Sequence, residues 1–592
     1  MSKAKSPAAP ERRRFLGQAG ALTAATFAAG AVGLEPLLGS PSSDAYAAAV
    51  SPLSGSQRRQ QARKLRDDMA KENMQTTPSH VTQTPNSDDD TYADKRGSYS
   101  KGLPHNPDGT VALAAYNQMV KALSTGAQGD FNAIPMGGAR KLTNPQGGLA
   151  FEMEGGDSHS FVQPPAPAFN SREEVAEIVE NYWMALLRDV PFDDYALHPL
   201  ANQAAADLSS FGSDFKGAKQ NGVVTPQTLF RGSAQGSADG PFVSQYFWLP
   251  CFFGANPISQ RINTVRSIAD GGTDYVTSYN SGAGNWLAIQ RGANPPAGDR
   301  FDPTPRFMRN GRDLGQWVHV DVLFQGYFQA FLVLAALGAP PDAGNPYVGN
   351  ATQDGFATFG GPHIATLVCE VSTRALHAVW YQKWCVHRRL RPEAFAGRIE
   401  YNRTHPGHFD VHSSILGSSV LPLVAAHNQT INNAAGNGGG ASYLLPQAFP
   451  EGSPTHPAYG AGHATVAGAC ATLLKAWFNQ NATITSLLAA NPGYRQAVVD
   501  SRGTGNASGN YPVVATADGL GLDDDTGADA SSLTVGGELN KIAYNVANGR
   551  NIAGVHWRSD ANASVALGEQ VAIQLLKEQR TTYNENFAGF SL

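Results

Sequence analysis

The chain has 592 residues, enough for one large domain or two to three ordinary ones. Its hydrophobic share of 42% leaves ample core, and a net charge of −5 removes any global electrostatic case for nucleic acid or an anionic membrane. A site for an anion must therefore be built locally.

In chain order, Arg12-Arg13-Arg14-Phe15-Leu16 is a twin-arginine pattern. An apolar stretch from Ala19 to Leu34 follows, then the small-x-small run Ala45-Tyr46-Ala47. Together they predict a cleaved Tat signal over residues 1–47, hence export to the periplasm or the medium. A lone membrane anchor is the competing reading, but the stretch is short and Ala/Gly-rich. No other segment reaches the roughly 18–20 apolar residues of a span, so no membrane contact is expected after cleavage. Residues 48–100 are polar and read as an N-terminal arm, with an Arg/Gln/Lys-rich run at 57–72 that predicts an arm helix. Such an arm suggests subunit contacts and a homo-oligomer, a dimer or larger.

Clear helices follow. In SREEVAEIVENYWMALLRD, Ser171 and Glu174 match a capping box, and Val175, Ile178, Val179, Tyr182 and Leu186 form an apolar stripe. Residues 317–337 are apolar nearly all round and predict one buried helix. Asp321 is its only carboxylate; buried, it needs a partner, for which an arginine is expected, against the alternative of an exposed helix start. Residues 360–389 predict a long helix ended by Arg391-Pro392, and 463–478, 538–549 and 559–580 predict three more. Stretches 270–312, 428–442 and 503–536 are rich in Gly, Asn and Asp and read as loops. Strand-like alternation is weak, and no repeat has a fixed period. The fold class is therefore mainly α, helical bundles with long loops. We divide it into an N-terminal helical part, 101–330, and a C-terminal bundle part, 331–592.

The four cysteines, Cys251, Cys369, Cys385 and Cys470, show no metal spacing. Cys369 and Cys385 on one helix would stand about 24 Å apart, too far for a disulfide. Buried thiols are expected.

Three segments of the C-terminal half carry the chemistry. In KWCVHRRLRPE, Trp380, Lys383 and His387 fall on one helical face, and Pro392 biases Arg391 to an extended backbone that can turn its guanidinium toward Lys383. Alone, this segment is a basic helix end. In SPTHPAYGAGHA, a Gly460-Ala461-Gly462 turn enters an apolar helix with His463 in its first turn. Glycine permits close anion approach, and the helix N-terminus offers free N–H groups. In RNIAGVHWRSD, Arg550 and His556 would face apart on one straight helix, about 240° of rotation. A break at Gly554, with Ser559 or Asp560 capping the next helix, lets both converge. Asp560 can then accept the second ring N–H of His556, or it is a surface residue at a helix start. Together, Lys383, Arg391, Gly462, His463, Arg550 and His556 form a receptor for a tetrahedral oxyanion.

The order K-x7-RP, then GH after a turn, then R-x5-H-x3-D resembles the vanadium-dependent haloperoxidases and the acid phosphatases related to them. The phosphatase form usually has one residue fewer between its Lys and Arg. The eight-residue step from Lys383 to Arg391 is similar to the algal bromoperoxidase branch, as are residues 97–106, 182–192, 229–246 and 533–550. The resemblance covers roughly residues 95–585.

This resemblance implies two four-helix bundles and one vanadate per subunit. Lys383, Arg391, Arg550 and the Gly462 N–H would bind its oxygens, and His556 would ligate vanadium. His463 would be the general acid/base for peroxide, and Lys383 would polarise the bound peroxide. His456 falls at a pocket position that is histidine in bromoperoxidases and aromatic in fungal chloroperoxidases. Trp380 would line the halide pocket. The implied reactants are hydrogen peroxide, a halide (bromide or chloride) and a small organic molecule. Two departures stand out: Ala461 replaces the usual serine before Gly-His, and Gly460 replaces a common proline. The Ala461 departure keeps a second reading open, a homologue that rearranges a bound metabolite by acid/base chemistry. A phosphatase with His556 as nucleophile is a third. The Asp523-Asp524-Asp525 run offers carboxylates of the kind that hold calcium, though a solvated acidic loop is the plainer reading.

Overall fold

The computed structural model describes residues 53–76, 82–296 and 298–590. The twin-arginine segment and its cleavage site lie outside them. The fold is mainly α, as the patterning predicts. The exceptions are two antiparallel two-stranded sheets, Cys251–Phe253 with Asn256–Ile258 and Val513–Ala515 with Leu522–Asp524.

The arm contains α1 (Gly55–Thr76). Asn73 ties its end to the distant C-terminal helix, donating to Glu578 at 2.5 Å. The helix α2 (Arg172–Leu186) starts at Ser171, whose hydroxyl accepts from the Glu174 N–H at 3.0 Å. The expected capping box is only half made. Glu174 does not reach back to its own helix; it is buried and pairs with Arg389. The apolar stripe is buried, and so are Glu174, Glu177 and Glu180 on the remaining faces. These carboxylates tolerate burial because arginines meet them: Arg389 for the first two, Arg558 for Glu180.

The helix expected over 317–337 is instead two, α3 (Gly311–Val320) and α4 (Gln325–Leu337), bent by 105°. Asp321 caps the end of α3 and leaves the helix direction. Its hydrogen-bond partner is His463, and the expected arginine, Arg550, stands near enough to support its charge; the side chain is 2% exposed, so it is no exposed helix start. Among the described residues no single helix is long and apolar enough to cross a membrane.

Next come α5 (Gly361–Tyr381), a π-turn over Gln382–His387, and α6 (Pro392–Thr404). The start of the expected loop 428–442 is in fact helical, within Val420–Ala435. The last helices are α7 (Gly462–Trp477), α8 (Val535–Ile552) and α9 (Arg558–Arg580). One apolar core runs through both halves of the chain, and position 330 lies inside α4. All four cysteines are free.

The site is framed by α5, α7, α8 and α9, which pack on one another. The α7–α9 crossing depends on two glycines. A Cβ on Gly468 would meet the Val565 carbonyl oxygen at 2.0 Å, and one on Gly568 would meet that of Thr465 at 1.9 Å. Only glycine allows backbones that close. The crossing brings the start of α7 beside the start of α9, where the two histidines of the motifs lie.

Candidate functional site

Lys383 sits in the π-turn that ends α5. The turn widens the helix, so His387 leaves the face of Trp380 and Lys383; it bonds Gln382 at 3.2 Å and meets the edge of Tyr459 instead. The Lys383 ammonium donates to the carbonyls of Pro457 and Ala458 at 2.8 and 3.0 Å, and lies 5.7 Å from the Trp380 ring. Arg391 has the extended backbone expected before Pro392. Its guanidinium links the other two segments. It donates to the His456 carbonyl at 3.0 and 2.8 Å, to the Val555 carbonyl at 2.7 Å, to His456 Nδ1 at 2.9 Å and to His556 Nε2 at 3.0 Å.

Gly462 opens α7. A Cβ there would stand 3.1 Å from the Trp380 indole, so glycine is set by that ring as well as by anion approach. His463 follows, its Nε2 2.8 Å from Asp321 Oδ1. Burial works against the charge on Asp321, yet the His463 imidazole, with Arg550 behind it, holds the carboxyl below its ordinary value. His456 packs 4.9 Å from Trp380. Ala461 is buried with Ala464, Ala547 and Ala561, and its N–H donates to Ser564 Oγ at 2.8 Å.

The third segment breaks where Gly554 predicts. Its φ is +87°, and a Cβ would meet Gln447 at 2.6 Å. Arg550 therefore points back from α8 and donates to the Val318 carbonyl at 2.7 Å. Its Nε is buried without a partner. Neither Ser559 nor Asp560 is the cap residue of α9; Trp557 is, and its N–H is met by Asp560 Oδ2 at 3.2 Å. The same oxygen lies 2.8 Å from His556 Nδ1. Asp560 is wholly buried, so the surface alternative is set aside.

The structure thus gathers Arg391, His456 and His556 by direct bonds, with Lys383 and Arg550 close enough to act on their charges. Gly462 lies against Trp380, His463 pairs with Asp321, and His387 turns away. The electrostatics are one-sided. Lys383 and Arg391 are at most 1% exposed and Arg550 is 7% exposed. Among the described residues no carboxylate forms an ion pair with any of the three. Burial first, then the Arg391 charge, holds Lys383 well below the ordinary amine range. Burial brings Arg391 down to about 9 and Arg550 to about 10, so both stay charged at neutrality. Burial, then Arg391 and Lys383, keeps His556 well below its ordinary value and so neutral. With Nδ1–H assigned toward Asp560, the Nε2 lone pair faces the cations. A buried cluster of this kind costs several kcal/mol per ion until an anion compensates it. An oxyanion fits this charge: Lys383 keeps one proton beyond its two carbonyl partners, and Arg550 Nε has no partner.

Sequence reasoning overlooked Arg389, Glu174, Glu177 and Phe449, whose ring lies 5.3 Å from the Arg550 guanidinium. The three aspartates of the acidic run accept from separate backbone N–H groups of Asn506, Ser508 and Gly527. They do not converge as calcium ligands, and among the described residues no three His, Cys, Asp or Glu side chains are placed to hold a metal ion.

Residues 371–585 match the family described as "VCPO second helical-bundle domain". The vanadium-dependent bromoperoxidase of Corallina pilulifera is 35% identical over 564 residues, covering 83% of this chain and 88% of its own. That of Corallina officinalis is 35% identical with the same coverage. That of Ascophyllum nodosum is 33% identical, covering 83% and 84%. Among solved structures, the homohexameric second vanadate-dependent bromoperoxidase of Ascophyllum nodosum superposes with a TM-score of 0.79 at 28% identity, over 93% of this chain and 91% of that one.

Proposed function

The chain belongs to the vanadium-dependent bromoperoxidase family, and on that premise we propose that it oxidises halide, bromide before chloride, with hydrogen peroxide. The product is a hypohalous species that halogenates small organic molecules. The cofactor is vanadate, one per subunit. The observation that carries this reading is the buried cluster of Lys383, Arg391 and Arg550, none of them ion-paired with a carboxylate among the described residues, beside the neutral ring of His556.

Vanadate, when bound, would supply a Lewis acid of unchanging oxidation state for the transfer of oxygen from peroxide to halide. Lys383, Arg391, Arg550 and the Gly462 N–H would bind its oxygens, and His556 Nε2 would ligate its metal. Lys383 has two carbonyl partners, so its third proton would remain for the anion and for polarising peroxide there. Because His463 gives Nε2 to Asp321, Nδ1 is the atom that exchanges a proton with entering peroxide. Trp380 and His456 wall the halide side. Burial, then Lys383, holds His456 well below its ordinary value, so it faces a halide as a neutral ring.

Reconstitution with orthovanadate, followed by peroxide, bromide and a phenol dye, is expected to give dye bromination. No turnover with any halide, alongside hydrolysis of p-nitrophenyl phosphate, would overturn the reading in favour of the phosphatase.

Ala461 sets how tightly the cofactor is held. Ala461→Ser is expected to tighten vanadate binding by about tenfold or more, since a hydrogen bond to a charged group contributes roughly 1.5–3 kcal/mol. A vanadate titration reads this directly. An unchanged dissociation constant would show that this side chain does not reach the anion.

The subunits form a homo-oligomer, in keeping with the homohexameric neighbour, and α1 is the element we assign to subunit contact. The twin-arginine segment supports export of the folded chain by the Tat pathway to the periplasm or the medium.

A further inference from the structure

Arg389 lies between Lys383 and Arg391 in sequence but turns away from the cation cluster. Its side chain is 1% exposed. Nη1 donates to Asp560 Oδ1 at 2.9 Å and to Ser559 Oγ at 2.7 Å. Nη2 donates to Glu177 Oε2 at 3.0 Å and to Glu174 Oε2. The Trp557 ring lies 4.6 Å from the guanidinium. Glu177 closes the ring of bonds by accepting from Ser559 N and Oγ, each at 2.9 Å. The Arg389 carbonyl accepts from the Ala458 N–H at 3.1 Å. One residue therefore ties together all three motif segments and α2 of the N-terminal half.

Asp560 is the point of leverage. Its Oδ1 is taken by Arg389 and its Oδ2 by His556 Nδ1. A carboxylate held at both oxygens cannot rotate, and a planar guanidinium fork suits that task. A carboxylate that holds the far ring nitrogen of a ligating histidine fixes the tautomer and aim of that ring. Stability alone does not account for the arrangement: three carboxylates surround one guanidinium, an imbalance that is costly in a dry interior. In keeping with it, burial pushes Glu177 up to about 7.

We propose that Arg389 is a positioning residue for the vanadate site: anchored by Glu174 and Glu177, it holds Asp560 in the orientation that aims His556 Nε2 at the cofactor. This rests on the function proposed above.

The test is vanadate binding to the full chain, measured by calorimetry without peroxide or halide, with thermal unfolding alongside. The chains compared are the parent, Arg389→Gln, Arg389→Lys, Asp560→Asn and the double variant Arg389→Gln/Asp560→Asn. Arg389→Gln is expected to bind vanadate about 10–100-fold more weakly. The double variant is expected to bind no more weakly than Asp560→Asn, because both act through one contact. Arg389→Lys, which keeps the charge without the fork, should recover part of the loss. Affinity of Arg389→Gln within about threefold of the parent, or losses that multiply in the double variant, overturns the proposal. If Arg389→Gln does not fold, Arg389→Lys with and without Asp560→Asn makes the same comparison. A parent chain that binds no vanadate sinks the function itself; a parent that binds it with no effect at Arg389 sinks only this inference.

Discussion

His556→Ala is expected to abolish vanadate-dependent bromination. Losing a residue that only supports a metal ligand already costs about 10–100-fold in affinity, so loss of the ligand itself should cost at least the upper end of that range. The remaining cations still attract an oxyanion, but nothing then fixes its centre. The change also strips Asp560 Oδ2 of its ring partner and Arg391 Nη1 of an acceptor, both buried. Asp560 Oδ2 keeps the Trp557 N–H and Arg391 Nη1 keeps the Val555 carbonyl, so the stability lost is roughly 1–3 kcal/mol, for the one guanidinium N–H left without an acceptor. Dye bromination and vanadate affinity, measured on chains shown to be folded by thermal unfolding, check this. Bromination persisting near the parent rate would remove His556 from the role of ligand.

His463→Ala should separate binding from turnover. A positioned acid/base contributes typically about 10²–10⁴-fold, so kcat is expected to fall by that much. Vanadate affinity should fall far less, because Lys383, Arg391, Arg550 and the Gly462 N–H remain. The variant leaves Asp321 without its imidazole partner, though Arg550 still lowers its charge cost. Single-turnover rates against vanadate titrations give the split. Equal losses in both would mean that His463 mainly holds the cofactor.

Much of this site was legible before any coordinates, because its cues are local. Pro392 sets the backbone of Arg391, Gly554 breaks α8 from α9, and Gly462 begins α7; each acts within a few residues of its effect. The bend at Asp321 was not legible. The run 317–337 is mostly apolar, and Asp321 at the bend is bonded to a histidine 142 positions away. The same holds for Arg389, whose carboxylate partner Glu174 lies 215 positions earlier. Read locally, Glu174 was a capping residue and Arg389 one charge in a basic helix end. Both readings apply rules of neighbouring residues to side chains that tertiary packing has claimed. Val420–Ala435 failed for a different reason: Asn and Ala near its end mimic a loop, while Val420, Leu421 and Val424 bury its other end.

The π-turn at Gln382–His387 gives the spacing of the first motif a physical meaning. An i→i+5 turn takes up about one residue more than an α-turn. Lys383 lies inside that turn and Arg391 four residues past its end. The wider turn therefore sets the angle at which the lysine leaves the helix. A substitution that restored regular α-turns would move the ammonium relative to the guanidinium without touching either residue.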